Sequence, residues 1–180
     1  MMRGGRAFCY SGRVRRAALV LVAVFLLPAC GLLGANMRET IDHRTTQGPV
    51  ADEMWSAGLM LSNGRTPTWE EKRHFYDELD LRIAKYLRDN EGPASNAQTM
   101  QAFRFFHQVT VGMDKAQVEV LLGKPYSTSD DAQQMANWAR RHWAAIRGRA
   151  DSAWTYPGGW VLYFDKDKLV EMTQYMPGIT

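Results

Sequence analysis

An uncharged apolar run near the amino terminus constrains this chain most. Residues 17–27 are eleven consecutive apolar residues, preceded by Arg15 and Arg16 and ended by Pro28. A membrane-spanning helix needs about 20 apolar residues, whereas a shorter run behind basic residues is typical of a secretory signal. We therefore predict that residues 1–29 form a signal peptide and that the folded domain is built from the residues after it.

Charge is distributed unevenly along the chain. Five of the 22 lysines and arginines lie in the first sixteen positions, and no acidic residue precedes Glu39. With 19 acidic residues in all, the remainder is slightly acidic and lacks the basic surplus that nucleic-acid binding requires. We expect no nucleic-acid partner. The remainder is also apolar enough for one globular domain with its own core.

Both cysteines, Cys9 and Cys30, lie in the first thirty residues, which excludes a disulfide in the folded part. The segment Leu27-Pro28-Ala29-Cys30 resembles the lipobox of bacterial lipoproteins. That resemblance implies cleavage before Cys30 and acylation of both its thiol and its new amino group. Gly31 at the next position favours, by analogy, the outer membrane. Residues 30–49 would then be a lipidated tether with little order, and the domain would face the periplasm.

Two other interpretations of this segment remain. An ordinary cleaved signal would leave a periplasmic protein, but it gives no reason for a cysteine directly after the small residue Ala29. An uncleaved anchor is also conceivable, because residues 17–36 are twenty consecutive uncharged positions. Pro28, Gly31 and Gly34 weaken that segment as a helix. In each case the arginine-rich end stays in the cytoplasm and the rest is exported.

Residues 50–93 are predicted to form a helical amino-terminal extension. Thr68 and Glu71 have the spacing of a capping box, in which each side chain bonds the other residue's backbone amide. Apolar residues then recur every fourth position, as on one face of a helix. These positions are Phe75, Leu79, Ile83 and Leu87.

Residues 94–180 change from helical to strand patterns. Asp114 and Gln117 repeat the capping spacing, Leu121 continues the apolar stripe, and Gly123 suits a helix end. A capped inserted helix is predicted over residues 129–148. Three alternating segments between residues 154 and 175 then indicate an antiparallel meander. We therefore predict an α+β fold with helices packed on one face of a small three-stranded antiparallel sheet.

Several of these residues resemble the SmpA/OmlA family, the BamE-like outer-membrane lipoproteins, over residues 98–175. The matching segments are Val111-Gly112-Met113-Asp114, Gln117-Val118, Leu121-Leu122-Gly123, Pro125, Trp154-Thr155-Tyr156, Leu162-Tyr163-Phe164-Asp165 and Leu169. The resemblance implies two helices on a three-stranded sheet. It also implies a non-enzymatic adaptor that supports β-barrel assembly or outer-membrane integrity, with an envelope protein complex as partner. The inserted helix and the extension over residues 50–92 depart from a minimal family member.

The chain offers little from which to build an active site. Glu71, His74 and Glu78 form half of a carboxylate di-metal pattern, but the second pair is missing, and we favour the solvated face of a charged helix over a metal site. His107 and His142 lie beside aromatic stripes, which favours packing over catalysis. We expect no catalytic residue, metal or cofactor. An envelope inhibitor or scaffold on the same fold remains an alternative, as does a cell-wall or lipid hydrolase.

The inserted helix contains the most unusual surface candidates. Arg140, Arg141 and Arg147 accompany Trp138 there, and arginine and tryptophan are enriched at the centres of interfaces. On a continuous helix Arg140 and Arg147 share a face opposite Trp138, because successive residues turn by about 100°. These arginines could contact acidic lipid headgroups or an acidic partner. We favour the alternative that they complement the helix carboxyl terminus while one tryptophan face packs.

Overall fold

Helices cover both faces of a central antiparallel sheet. The computed structural model describes residues 40–90 and 97–178. Its strands are β1 (Ile41–Thr45), β2 (Gln47–Val50), β3 (Gln108–Thr110), β4 (Ser127–Ser129), β5 (Ser152–Tyr156), β6 (Trp160–Asp165) and β7 (Lys168–Met176). Its α-helices are α1 (Ala51–Asn63), α2 (Trp69–Asp89), α3 (Ala97–Gln101), α4 (Lys115–Leu122), α5 (Ala132–Ala139) and α6 (Trp143–Ile146). Residues Ile41–Met176 form one compact unit, and the predicted α+β class is confirmed.

The main sheet has five strands in the order β1-β7-β6-β5-β4, all antiparallel. The predicted meander is present as β5, β6 and β7, but the prediction of only three strands is wrong. Strand β4 was missed because three hydroxyl residues carry no apolar alternation. Strand β1 was missed because its sequence is mostly polar. A second sheet of two strands joins β2 to β3.

The position of β1 corrects a second prediction. Residues 41–49, assigned to the tether, form strand β1 and most of strand β2. Strand β1 pairs with the last strand, with Asp42 opposite Tyr175 and Arg44 opposite Thr173. Hydrogen bonding to β7 therefore supplies the order that the side-chain pattern did not reveal. Residues 30–39 of the predicted tether lie outside the described residues.

Side-chain alternation along the strands builds two separate cores. Leu162 and Phe164 of β6 face α1, α2 and α4, and they share a core with Phe75, Leu79 and Leu121. The residues between them face the other way, into a smaller core under α5 and α6. Its members are Met135, Ala139, Ile146, Ala153, Val161 and Tyr163. The prediction that helices occupy one face is therefore wrong, and the extension over residues 50–93 contributes directly to the larger core.

Two predicted capping boxes are confirmed. The Thr68 hydroxyl accepts from the Glu71 amide at the start of α2, and the Glu71 carboxylate accepts from the Thr68 amide at 2.8 Å. At α4, Asp114 Oδ1 accepts from the Gln117 amide at 2.7 Å, and Gln117 Oε1 accepts from the Asp114 amide at 3.0 Å. The Tyr86 hydroxyl donates to Asp114 Oδ2 at 2.8 Å, which ties α2 to α4. Burial, followed by this carboxylate, raises the pKa of Tyr86.

The turn before α4 is docked on the β6–β7 hairpin. The Gly112 amide donates to the Leu169 carbonyl, and the Leu169 amide donates to the Met113 carbonyl, both at 2.8 Å. Gly112 has a φ of +96°, a conformation that favours glycine. The segment Val111-Gly112-Met113-Asp114 thus fixes where α4 meets the sheet.

The inserted segment is not one helix. Helix α5 ends at Ala139, a 3₁₀ turn spans Arg140–His142, and α6 comes next. Arg140 has a φ of +54°, which an α-helix does not permit, so the direction of the chain changes there. The prediction of a continuous helix over residues 129–148 is wrong for this reason.

Candidate functional site

The predicted lipid-attachment residue, Cys30, lies outside the described residues. Within residues 40–90 and 97–178, no helix combines the length and apolar character needed to cross a membrane. The described part of the chain presents two surfaces of interest, an arginine-rich edge and a groove between helices.

The break at Arg140 directs two of the three predicted arginines toward the sheet. The Arg140 guanidinium lies 3.7 Å from the centre of the Tyr175 ring. Arg141 Nε lies 3.0 Å from Asp42 Oδ2, and its guanidinium also donates to the Asp42 carbonyl. The helix geometry that was expected to place Arg140 and Arg147 on one face is therefore wrong, because it required an unbroken helix. All three arginines are exposed, and Arg147 has neither an ion pair nor a ring contact among the described residues.

A second ion-pair cluster on the same edge was missed by the sequence analysis. Glu171 is 5% exposed, and its Oε2 lies 2.6 Å from Arg44 Nη2 and 3.4 Å from Arg149 Nη1. Arg44 belongs to β1, Glu171 to β7 and Arg149 to the segment after α6. A glutamate between the apolar residues Val170 and Met172 of β7 was the available signal, since a buried carboxylate requires a partner. Together the two clusters connect the inserted segment to the first and last strands.

Glu71, His74 and Glu78, the residues that resemble half of a di-metal site, lie along the surface of α2. His74 Nδ1 lies 3.5 Å from Glu78 Oε1, and both side chains are more than 60% exposed. Glu71 instead binds Arg65, with its two oxygens 2.6 and 2.8 Å from the guanidinium nitrogens. That guanidinium, followed by the Thr68 amide, lowers the pKa of Glu71 to about 2. Over the described ranges, no group of three or more His, Cys, Asp or Glu side chains is placed to hold a metal ion.

His107 and His142, which were expected to be packing residues, each contact a carboxylate from another part of the fold. His107 Nε2 lies 3.3 Å from Asp80 Oδ1, and His142 Nε2 lies 2.9 Å from Asp42 Oδ1. His142 also sits in the arginine-rich edge, where the two side chains of this pair are each 16% exposed. These positions join elements of the fold to one another.

A groove of about 580 Å³ lies between three helices and is here called the α1 groove. One wall is a single face of α1. The rest of its lining comes from α2, from the carboxyl end of α4 with the residues after it, and from the end of β5 with its turn. The α1 residues are Ala51, Met54, Trp55, Gly58, Leu59 and Ser62; the others are Phe75, Glu78, Arg82, Leu121, Leu122, Gly123, Lys124, Tyr126, Tyr156 and Pro157.

The α1 groove was not predicted from sequence. Its walls come from three helices and a turn that are far apart along the chain, so no local motif marks it. Its size lies within the range of ligand and peptide sites, and its lining is rich in aromatic side chains with a few charged ones. No protein-family model, curated protein or solved structure matches this chain.

Proposed function

We propose that this protein is a lipid-anchored lipoprotein of the outer membrane that acts as a non-enzymatic adaptor on the periplasmic side. The observation that carries the proposal is Leu27-Pro28-Ala29-Cys30 directly after an eleven-residue apolar run. A cysteine in that position is a substrate for acylation, and two or more acyl chains anchor a protein stably. By resemblance to the SmpA/OmlA lipoproteins, the partner is an envelope protein complex such as the β-barrel assembly machinery.

The residues that resemble the SmpA/OmlA family make contacts inside the domain, which supports a structural role for them. Gly112, Met113 and Leu169 form the hydrogen bonds that dock the turn before α4 on the sheet, and Asp114 caps α4. They specify the fold, and recognition falls to the exposed surfaces, since function resides in sites added to folds. The α1 groove and Arg147 are two exposed features of this kind in the described part.

Strand β1 is the first described element after Cys30 in sequence. In an anchored protein, the chain that leads from Cys30 enters the described domain at this strand. Asp42 and Arg44 bind the strand to the inserted segment and to β7 through the ion pairs described above. Such contacts suit a domain held at a membrane through its first strand.

The proposal is tested in bacterial envelopes that contain the full chain. Intact mass spectrometry should find Cys30 acylated at the new amino terminus, and the protein should fractionate with the outer membrane. Cys30→Ser should leave an uncleaved precursor in the inner membrane or release the protein. Crosslinked purification should recover a barrel-assembly component with the lipidated chain. An unmodified Cys30 would overturn the anchor, and recovery of a soluble enzyme alone would indicate an inhibitor instead.

A further inference from the structure

We propose that the α1 groove docks a short helical segment of a partner protein that presents apolar side chains together with an acidic one. This inference rests on the proposed adaptor function and adds the surface and the chemistry by which a partner is held. Three features of the groove carry it, namely its shape, an unexplained glycine and a surplus of positive charge.

The shape of the groove matches a helix. Its α1 wall uses positions spaced alternately by three and one, from Ala51 to Ser62, which together form one face of that helix. At 1.5 Å per residue this face is about 16 Å long, enough for three turns of a partner helix. Trp55 and the 69% exposed Tyr126 contribute aromatic surface to the groove. Helix-in-groove recognition uses apolar walls of this kind.

Gly58 lies in the middle of α1, where glycine weakens a helix. Its backbone does not require glycine, because it is absent from the positions with positive φ. Nor does packing require it, since a Cβ added at Gly58 would meet no atom within 4 Å. The open space is on the groove wall. A glycine there lets a side chain of a bound segment approach the α1 backbone closely.

The charge of the groove selects the partner. Glu78, Arg82 and Lys124 line it, which gives a net charge of one positive unit. Glu78 already has His74 within 3.5 Å, whereas neither Arg82 nor Lys124 forms an ion pair within residues 40–90 and 97–178. Two unpaired cations beside an apolar wall favour an acidic residue next to the apolar anchors of the partner.

The test uses the full-length lipidated chain in nanodiscs and a phage-displayed library of random 16-residue peptides. Peptides that bind the chain are counter-selected on a Gly58→Leu chain, whose added side chain fills the groove. The expected survivors carry apolar residues three or four positions apart and at least one acidic residue. They should bind Gly58→Leu and the double variant Arg82→Glu/Lys124→Glu at least tenfold more weakly. The matched control, Arg73→Glu/Arg88→Glu, changes two exposed arginines of α2 outside the groove and should leave affinity unchanged.

Each outcome decides the inference. It is overturned if no peptide distinguishes the wild-type chain from Gly58→Leu, or if the survivors are basic, or if the charge reversal has no effect. If Gly58→Leu loses its cooperative thermal transition, Ser62→Trp replaces it, because Ser62 is exposed on the same wall.

The inference and the proposed function can fail separately. An unmodified Cys30 removes the lipid anchor whatever the peptides do. If Cys30 is acylated and crosslinked purification recovers the same envelope partner equally well with the Gly58→Leu chain, the groove inference fails and the adaptor function stands.

Discussion

The Nε2 atom of His142 lies 2.9 Å from Oδ1 of Asp42, although 100 positions separate the two residues. Asp42 belongs to the first strand and His142 to the turn between α5 and α6. Arg141 binds the other oxygen of the same carboxylate at 3.0 Å. The inserted segment is therefore fastened to the edge of the sheet as well as packed on its face.

This arrangement predicts that Asp42 stabilises the fold. Asp42→Ala removes the carboxylate that Arg141 and His142 share, so both side chains lose their partner on β1. We therefore expect the free energy of unfolding to fall by about 1 to 3 kcal/mol. Chemical denaturation of the full chain in detergent measures it. Arg147→Gln is the control, because an exposed arginine without an ion pair should change stability by less than about 0.5 kcal/mol. Equal effects of the two variants would contradict a role of the Asp42 cluster in holding β1.

The larger core provides a second prediction. Leu121 is 2% exposed and Phe164 is fully buried, so Leu121→Ala should cost about 2 to 5 kcal/mol and Phe164→Ala about 3 to 5 kcal/mol. Leu81→Ala is the matched control, because Leu81 is 71% exposed on α2 and should cost less than about 0.5 kcal/mol. The same denaturation experiment compares all three. If Leu81→Ala lowered the free energy of unfolding as much as Leu121→Ala, the face of α2 that contains Leu81 would have to lie in the core, which would contradict the fold described here.

Local signals predicted the helix starts and the meander correctly. Thr68 and Asp114 cap helices through contacts that involve only their next three residues, so the sequence contains the whole interaction. Leu162 and Phe164 alternate with Val161 and Tyr163, and a strand between two layers buries both sets. The alternation predicted a strand correctly, but it was interpreted as having only one buried face.

The features that were missed depend on contacts between distant parts of the chain. Strand β1 is polar and becomes a strand by pairing with β7, and the helix break at Arg140 coincides with its contact to Tyr175. Neither partner is near in sequence. The α1 groove is of the same kind, since Gly58 looks like an ordinary helix defect until the empty space beside it is known.

The capping cluster at α2 predicts an acid-sensitive contribution to stability. The pKa of Glu71 is lowered from its ordinary value near 4.5 to about 2, chiefly by the Arg65 guanidinium. A lowered pKa in the folded state means that the ionised carboxylate stabilises the fold above about pH 4.5, and that this contribution disappears as the pH falls toward 2. The melting temperature of Glu71→Gln should therefore lie below that of the wild type at pH 6, and the difference should shrink by pH 2.

Glu70→Gln is the matched control for this pH series. Glu70 is exposed in the same first turn and forms no ion pair among the described residues. Its variant should follow the wild-type curve closely. A constant difference between Glu71→Gln and the wild type from pH 6 to pH 2 would show that the Arg65 contact does not depend on ionised Glu71.

Gly58 gives a prediction that concerns stability alone. Because an added Cβ meets nothing within 4 Å and the backbone is helical, Gly58→Ala should stabilise the protein by about 1 kcal/mol through helix propensity. Gly64→Ala provides the contrast, since Gly64 ends the same helix with a φ of +66° and should lose about 1 kcal/mol. Thermal unfolding of both variants measures the two effects, and a loss at Gly58 would mean that its surroundings are less open than described above. A gain would show that Gly58 lowers the stability of the protein and that the packing of α1 does not require it. This is the result expected if the free space beside Gly58 is occupied by a bound partner.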